Sequence, residues 1–354
     1  MKAREKDATG GVMGDATVEQ GAQETGVAAR AALIGLDWGT TSLRAYLFDA
    51  NGEVLATRVS TAGIMNLPVP AEEGGFDEAF DEACGVWLAE APALPVIAAG
   101  MVGSAQGWVQ APYVETPASV DALVAGVVSV RTARGALLTV VPGVLEQGAL
   151  PNVMRGEETQ VFGALSDPAE TDARQTALIG LPGTHAKWVV VEGGRIARFY
   201  TFMTGEVYAA LTAHTILGRT MKRPVEPDTS AFLRGITVAR EHGCAGLLAT
   251  AFSSRTLGLT GQLSADEQPD YLSGVVIGHE LLGLETSLAR RDVPLAACAP
   301  QLIGADALCE RYKLALEQFG CTRARLVLQA TERGLWHVAV KAGLIAQSAQ
   351  PARR

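Results

Sequence analysis

The densest group of chemically capable residues lies at positions 152–160, which read Asn-Val-Met-Arg-Gly-Glu-Glu-Thr-Gln. The pattern predicts a strand followed by a helix that starts near Gly156. A carboxylate at such a helix start can orient or deprotonate a substrate hydroxyl. Arg155 beside it can clamp a carboxylate or a transferring phosphate through paired N–H donors. The alternative is structural, because Glu157 and Glu158 also favour the positive end of a helix dipole.

Two short turns of small residues could bind phosphate. The segment 39–41 (Gly-Thr-Thr) follows the apolar run 31–37, and the segment 183–185 (Gly-Thr-His) follows the apolar run 178–181. Small residues let backbone N–H groups approach phosphate oxygens, and a threonine hydroxyl adds a donor. One such turn alone is typical of a surface hairpin, but two copies in register favour a nucleotide site. The phosphate-binding candidates are Gly39, Thr40, Thr41, Gly183, Thr184, His185 and Lys187.

An acidic residue ends the first of these apolar runs. Asp37 could hold Mg²⁺ against the phosphates, directly or through water, or it could simply cap a turn. The second copy has no such acid, because Asp37 and Trp38 are matched by Pro182 alone. Lys187 and His185 could add positive charge or donors there, although Lys187 could equally be a solvated strand residue. The predicted metal site is therefore confined to the first copy.

The chain reads as a duplicated domain. The motif Leu-Ile-Gly-Leu occurs at 33–36 and again at 178–181, each time before a small-residue turn and a pair of strands. The polar, proline-containing stretch 166–175 is the predicted interdomain boundary. We therefore expect domains at 31–170 and 171–350, preceded by a disordered polar extension at 1–30.

Coarse periodicity indicates an α/β protein. Strands are expected at 43–49, 53–60 and 137–142, and a helix at 76–90 has apolar residues about four apart. The region 205–290 reads as mostly helical. The segments at 293–298, 304–319, 324–329 and 333–346 then alternate between strand and helix, which suits a sheet covered by helices.

Composition and missing motifs exclude several classes of protein. The formal net charge of −9 argues against an open surface for nucleic acid or anionic membranes. No apolar run approaches the roughly 20 residues of a membrane-spanning helix. The five cysteines are scattered and odd in number, so a reducing, cytoplasmic location is expected. Neither a P-loop nor a strand-GxGxxG-helix unit is present. The triplet 304–306 (Gly-Ala-Asp) lacks the middle glycine of the GAGD anion hole of ribokinase-type sugar kinases, and we take it as chance.

Several blocks together resemble the 2-dehydro-3-deoxygalactonokinase family. They are IGLDWGTTSLRAYL (34–47), AAGMVGSAQGW (98–108), APY (111–113), VPG (141–143), NVMRGEETQ (152–160), LPGTHAKWV (181–189) and FMTGE (202–206). The resemblance implies two actin-like (ribonuclease H-like) domains with a nucleotide cleft between them. It also implies Mg²⁺ and ATP as cofactors, and phosphoryl transfer to the 6-hydroxyl of 2-dehydro-3-deoxy-D-galactonate in galactonate catabolism.

The resemblance also implies roles for individual residues. Related sugar kinases place a catalytic acid at the helix corresponding to 157–159, so Glu158 is the preferred base by fold analogy, with Glu157 close behind. The residues implied for the sugar-acid pocket are Arg44, Met101, Gly103, Ser104, Trp108, Asn152 and Arg155. Arg155 or Arg44 would hold the substrate carboxylate, and closure of the domains would exclude water.

One departure from the family pattern concerns the nucleotide. Where the family has an Ala-Gly-Thr-Ser-type turn against the adenosine, residues 297–301 read Ala-Cys-Ala-Pro-Gln. Proline removes a backbone donor, so we expect an effect on nucleotide binding. An exopolyphosphatase-type hydrolase and an actin- or Hsp70-like ATP-binding protein are the alternatives. The sequence leaves open the C4 configuration of the sugar acid and the oligomeric state, a homodimer included.

Overall fold

The computed structural model describes residues 26–166 and 176–345. The predicted boundary at 166–175 and nearly all of the predicted extension at 1–30 therefore lie outside the described residues. Residues Ala28–Arg30 form a 3₁₀ helix, and Ala28 is buried in the core. The expectation of disorder is thus wrong for the end of that segment, and the domain limits stay a prediction.

The first sheet carries the first phosphate turn. Its strands are β1 (Ala31–Trp38), β2 (Leu43–Asp49), β3 (Val54–Ser60), β4 (Val96–Gly100), β6 (Val128–Arg131) and β7 (Leu137–Val140), in the order β3-β2-β1-β4-β7-β6. The strands expected at 43–49 and 53–60 are β2 and β3, and in the turn that connects them Gly52 has a positive φ of 87°. Glycine accepts that conformation without strain.

The second sheet repeats this arrangement. Its strands are β10 (Ala177–Leu181), β11 (Ala186–Glu192), β12 (Arg195–Phe202), β13 (Gln301–Leu302) and β14 (Arg325–Leu326), in the order β12-β11-β10-β13-β14. In each sheet the first strand pairs antiparallel with the next strand in the chain and parallel with a later one. The two sheets therefore share the topology of the actin-like fold, and the predicted fold class and duplication are confirmed.

A small third sheet lies where the two halves of the chain meet. It consists of β5 (Tyr113–Glu115), β8 (Gly143–Glu146) and β9 (Asn152–Met154), in the order β5-β8-β9. Ala118 and Ile196 exchange backbone hydrogen bonds of 2.9 and 2.8 Å, and the backbone N–H of Phe199 donates to the Glu146 carboxylate at 2.7 Å. The edge strand β12 is thereby held against the first half of the chain.

Helices pack on both sheets. They are α1 (Gly75–Glu90), α2 (Val120–Ala125), α3 (Glu157–Leu165), α4 (Thr204–His214), α5 (Thr229–His242), α6 (Leu247–Thr250), α7 (Ser253–Leu259), α8 (Gln268–Ala289), α9 (Asp306–Gln318) and α10 (Ala330–Lys341). The helices predicted near 76–90 and from Gly156 are confirmed as α1 and α3. In α1, Phe76, Phe80 and Trp87 are buried against the first sheet, as their spacing predicts.

The last described helix returns to the first half of the chain. Helix α10 packs on α3, and glycines allow the close approach: a Cβ on Gly163 would lie 1.8 Å from the Ala330 carbonyl oxygen. A Cβ on Gly334 would likewise lie 2.0 Å from the Thr159 carbonyl oxygen. A Cβ on Gly35 of β1 would lie 3.1 Å from the Leu335 side chain, so α10 packs on the first sheet, and the buried cluster that contains Leu335 extends to Val189 of the second sheet.

The strand expected at 293–298 is wrong. Residues Leu295–Ala297 form a 3₁₀ helix after Pro294, and the strand that pairs with β10 is Gln301–Leu302. A short apolar run that contains proline fits either structure, and pairing with the sheet decides between them. Within the described ranges, the structure has no helix long and apolar enough to span a membrane.

Candidate active site

The residues 155–158 at the start of α3, here called the acidic turn, lie against the carboxyl ends of β1 and β4. Gly100 ends β4 with φ of 101°, and Gly156 precedes α3 with φ of 106°. A Cβ on Gly100 would lie 2.7 Å from the Trp38 carbonyl oxygen, and a Cβ on Gly156 would lie 3.2 Å from the Gly100 Cα. Two glycines at positive φ therefore let the start of α3 approach the strand that carries Asp37.

Asp37 is a half-buried carboxylate next to an exposed arginine. Its Oδ2 lies 3.4 Å from the Arg44 Nη1, directly across the β1–β2 pairing, and 22% of the Asp37 side chain is exposed. Burial raises the pKa of Asp37 above its ordinary value, Arg44 opposes the rise, and the charges of Glu157 and Glu332 add to it. Negative charges from α3 and α10 thus act on Asp37 in β1.

The two neighbouring glutamates at the start of α3 point in different directions. Glu157 is partly exposed, and its Oε2 accepts a 3.0 Å hydrogen bond from the Arg155 backbone N–H. Glu158 is fully buried and accepts hydrogen bonds from the Gly156 backbone N–H and the Thr159 hydroxyl. Burial, reinforced by the charge of Glu157, raises the pKa of Glu158 to about 8. Glu157 is therefore the carboxylate that a ligand in the cleft can reach.

A lysine of the second sheet meets Glu157 across the cleft. The Lys187 Nζ lies 3.5 Å from the Glu157 Oε1 and donates to the His185 carbonyl oxygen at 3.2 Å. The Lys187 side chain is only 6% exposed. Lys187 is thus a buried ion-pair partner and not a solvated strand residue, and it brings the second turn to the acidic turn.

Both phosphate-binding candidates are exposed turns that backbone hydrogen bonds hold in place. In the first, the backbone N–H groups of Ile64 and Met65 donate to the carbonyl oxygens of Gly39 and Thr40 at 3.1 and 3.0 Å. In the second, the Glu206 backbone N–H donates to the Thr184 carbonyl oxygen at 3.1 Å. The Glu206 carboxylate also lies 2.5 Å from the His185 Nε2. Thr40, Thr41, Thr184 and His185 are exposed, so all four can contact a ligand.

The turn beside the second phosphate candidate is not the one expected from sequence. Because β13 starts at Gln301 and runs parallel to β10, residues 297–300 lie at the amino end of the sheet, away from the Gly183 turn. Residues 297–299 line a cavity of about 820 Å³ at that end. The expectation that 297–301 faces the adenosine is therefore wrong.

Residues 303–306 occupy the carboxyl end of β13 instead. A Cβ on Gly304 would lie 3.3 Å from the Pro182 carbonyl oxygen, and α9 starts at Asp306. The Gly-Ala-Asp triplet, which sequence reasoning took as chance, thus lies next to the second phosphate turn. A glycine directly after a strand was the signal that could have found it.

The residues after β4 that were assigned to the sugar-acid pocket do not all lie together. Met101, Gly103 and Ser104 follow β4 directly and lie at the same sheet edge as Asp37. Trp108 instead packs in an aromatic cluster, stacked on Phe76 at 5.8 Å between ring centroids.

Asn152 and Arg155 both support the walls of this region. The Asn152 amide donates to the Phe199 carbonyl oxygen at 3.4 Å, in the contact with β12. The Arg155 Nη2 donates to the Ala111 carbonyl oxygen at 2.9 Å, and its guanidinium lies 4.4 Å from the centre of the Tyr113 ring. Both side chains are therefore engaged in protein contacts, and Arg44 is the more exposed of the two candidate arginines.

Sequence analysis missed two acidic residues that interact with residues of or next to the candidate site. Glu332 of α10 contributes to the raised pKa of Asp37, although it follows Asp37 at great distance in the chain and no local pattern connects them. Glu280 lies buried within the apolar helix α8 and accepts a 2.6 Å hydrogen bond from the Trp188 indole. A lone acid in an apolar helix was a usable signal for Glu280.

Comparison with known proteins decides the family. The profile of the 2-keto-3-deoxy-galactonokinase family matches residues 37–338. This chain belongs to that family. Among curated relatives, "Probable 2-dehydro-3-deoxygalactonokinase DgoK1" of Rhizobium meliloti is 35% identical over 85% of this chain and 96% of the relative. The 2-dehydro-3-deoxygalactonokinase of Escherichia coli is 32% identical over 81% of this chain and 90% of its own length.

A solved structure agrees with the family assignment. A Sinorhizobium meliloti protein proposed to be a 2-dehydro-3-deoxygalactonokinase has a crystal structure that matches with a TM-score of 0.76. The match is 32% identical and covers 87% of this chain and 98% of that one. The resemblance to the galactonokinase family that the motif blocks indicate is therefore confirmed.

Proposed function

We propose that this galactonokinase-family chain transfers the γ-phosphoryl group of ATP to the 6-hydroxyl of 2-dehydro-3-deoxy-D-galactonate. The observation that carries the proposal is the 3.5 Å ion pair between Lys187 and Glu157, which brings a phosphate-type turn of one sheet to an acidic turn of the other. Phosphoryl transfer depends mainly on positioning and on stabilising charge, and this arrangement supplies both. Family membership favours a kinase over the phosphohydrolase and the non-catalytic ATP-binding protein.

We assign the ATP phosphates to the two turns and the adenosine to the far side of the second turn. Gly39 and Gly183 leave their surroundings open, since a Cβ on Gly183 would meet no atom within 4 Å and one on Gly39 only a carbonyl oxygen at 3.5 Å. The segment 303–306, next to Pro182, is our candidate for the adenosine contact. This assignment replaces residues 297–301 in that role.

Asp37 fits Mg²⁺ as a single protein ligand. Magnesium in nucleotide sites takes one or two carboxylates and fills its other positions with phosphate oxygens and water. Burial is the main cause of the raised pKa of Asp37, and the charges of Glu157 and Glu332 add to the rise; a bound cation would offset those charges. The metal would neutralise the phosphate oxygens during transfer.

We propose Glu157 as the general base, where fold analogy preferred Glu158. A base must reach the hydroxyl proton that it removes, at roughly 2.6–3.2 Å or through one water. Glu157 is partly exposed at the cleft, whereas Glu158 is fully buried and engaged with the turn before it. Glu157 would take the proton of the 6-hydroxyl as the hydroxyl oxygen attacks the γ-phosphorus, while the bond from the γ-phosphorus to the β,γ-bridging oxygen breaks and ADP leaves. Lys187 would hold the carboxylate in place.

The sugar acid is assigned to the edge formed by the end of β4 and the turn before α3. Arg44 has a 51% exposed side chain beside Asp37, and it would contact an anionic group, either a phosphate or the substrate carboxylate. Arg155 would shape the wall of the pocket through its contacts with Ala111 and Tyr113. Domain closure over the substrate, a homodimeric state and a cytoplasmic location stay predictions.

The test is ADP release in a coupled assay with Mg-ATP. Three reactions are compared: with 2-dehydro-3-deoxy-D-galactonate, with its gluconate epimer and without sugar acid. We expect turnover with the galactonate compound well above the reaction without acceptor. Turnover on neither acid, with ATP binding intact, would contradict the substrate assignment. Turnover on the gluconate epimer alone would place the substrate in the other C4 series.

A further inference from the structure

Glu280 is a buried acid in an apolar environment. It lies in the middle of α8, between Val275, Val276 and Ile277 on one side and Leu281 on the other, and only 3% of the residue is exposed. Burying a carboxyl group is costly unless hydrogen-bond donors surround it. Its partners therefore indicate what it holds together.

Three donors from three different elements meet at this carboxylate. The Trp188 indole N–H of β11 donates to Oε1 at 2.6 Å, and the Tyr312 hydroxyl of α9 donates to Oε2 at 2.6 Å. The Thr204 hydroxyl, at the first residue of α4, donates to Oε2 as well. All three donor residues are buried. A single side chain thus connects α8, β11, α4 and α9.

The Trp188 hydrogen bond acts on one side of the second phosphate turn. Trp188 follows Lys187 directly in β11, so a fixed indole also fixes the strand from which Lys187 extends to Glu157. The ring packs over Gly180 in the neighbouring strand, where an added Cβ would lie 2.7 Å from a ring carbon. Close packing of this kind leaves the strand little freedom.

The Thr204 hydrogen bond acts on the other side of the same turn. Thr204 begins α4, and a Cβ on the next residue, Gly205, would lie 2.6 Å from the Gly183 carbonyl oxygen. The backbone N–H of Glu206 donates to the Thr184 carbonyl oxygen at 3.1 Å. The start of α4 is therefore the base on which the Gly-Thr turn rests.

From these contacts we infer that Glu280 is a positioning residue for the second phosphate turn, resting on the proposed function of that turn in binding ATP. It holds both supports of the turn, the strand β11 and the start of α4, at one fixed point behind the cleft. It touches no ligand itself. Its loss therefore affects the nucleotide before it affects the sugar acid, whose assigned residues lie on the first sheet.

The experiment compares two nearly isosteric changes that each remove one hydrogen bond to the same carboxylate. Thr204→Val removes the bond on the side of the phosphate turn, and Tyr312→Phe removes the bond on the side of α9. Binding of the Mg²⁺ complex of a non-hydrolysable β,γ-imido ATP analogue is measured by calorimetry. The KM values for ATP and for the sugar acid are measured in the coupled assay, and thermal unfolding reports stability.

We expect Thr204→Val to weaken analogue binding on the order of 10-fold, because small displacements of a binding turn are costly. Tyr312→Phe should change it less than about 2-fold at a similar stability loss, since each change removes one buried hydrogen bond. The KM for the sugar acid should stay unchanged in both. The affinity of Glu280→Gln for the analogue should lie between those of the wild type and Glu280→Leu, because the glutamine amide oxygen can still accept a hydrogen bond from the indole N–H.

A second control uses the same helix. Asp270 is also a buried acid of α8, but it pairs with Arg311 at 2.6 Å and with the Asp228 backbone N–H at 2.7 Å, away from the turn. Asp270→Asn should lower stability without changing analogue binding. Equal weakening in Thr204→Val, Tyr312→Phe and Asp270→Asn would show a purely structural effect and overturn the inference. Wild-type binding of the analogue without turnover on either sugar acid would contradict the proposed substrate and leave the inference standing.

Discussion

The buried carboxyl group of Glu158 makes a specific prediction about stability and pH. Its pKa is raised from 4.5 to about 8, mainly by burial. Between these two values the folded protein holds a proton that the unfolded chain has released, so stability falls as pH rises through this window and levels off above about pH 8. At about 1.36 kcal/mol for each pKa unit, and with the folded carboxyl group half ionised at pH 8, the fall between pH 6 and pH 8 corresponds to about 2 kcal/mol.

Glu158→Gln removes this titration and keeps the shape of the side chain. We expect urea unfolding, followed by tryptophan fluorescence at pH 6, 7 and 8, to show that the free energy of unfolding of the variant rises relative to the wild type by about 2 kcal/mol from pH 6 to pH 8. Glu157→Gln is the matched control on the same helix and should keep most of the wild-type fall, slightly reduced because the Glu157 charge contributes to the raised pKa. If the free energies of unfolding of the wild type and Glu158→Gln changed in parallel from pH 6 to pH 8, Glu158 would not have the raised pKa.

Three further predictions concern the cleft. Lys187→Met should lower kcat/KM for ATP by about 10²–10³-fold, because it removes the charge that pairs with Glu157 at 3.5 Å; a loss below 5-fold in steady-state assays would contradict this. Arg44→Met should raise the KM for ATP or for the sugar acid, whichever anion Arg44 contacts, and activity should still depend on Mg²⁺ because Asp37 is retained. Unchanged KM values for both substrates would show that Arg44 does not belong to the site. Gly156→Ala should lower stability by about 1–3 kcal/mol, since alanine is strained at φ of 106°, and an unchanged thermal midpoint would argue against that strain.

Local patterns predicted the fold well and the site in part. The repeated Leu-Ile-Gly-Leu runs became β1 and β10, because strand, turn and strand are close in the chain and their signals are local. The packing of α10 on α3 depends on glycines far apart in sequence, and no local signal shows it. The strand β13 has only two residues, so its position could be known only from its pairing with β10.

The choice between adjacent glutamates shows the same limit. Consecutive residues of a helix point about 100° apart, so one faces the cleft and the other the core. Which residue faces which way depends on how α3 rests on the end of β4, through Gly156 and Gly100. Sequence therefore located the acidic turn, and the packing of the two glycines separated Glu157 from Glu158.

Phosphoryl transfer to the 6-hydroxyl is proposed to depend on Glu157 in this cleft. The most direct measurement is ³¹P NMR of reactions of the wild type, Glu157→Gln and Glu158→Gln with Mg-ATP and 2-dehydro-3-deoxy-D-galactonate. We expect a 6-phosphate ester from the wild type and from Glu158→Gln, and formation about 10²–10⁴-fold slower from Glu157→Gln. Rapid ester formation by Glu157→Gln together with its loss in Glu158→Gln would contradict the assignment of Glu157 as the general base.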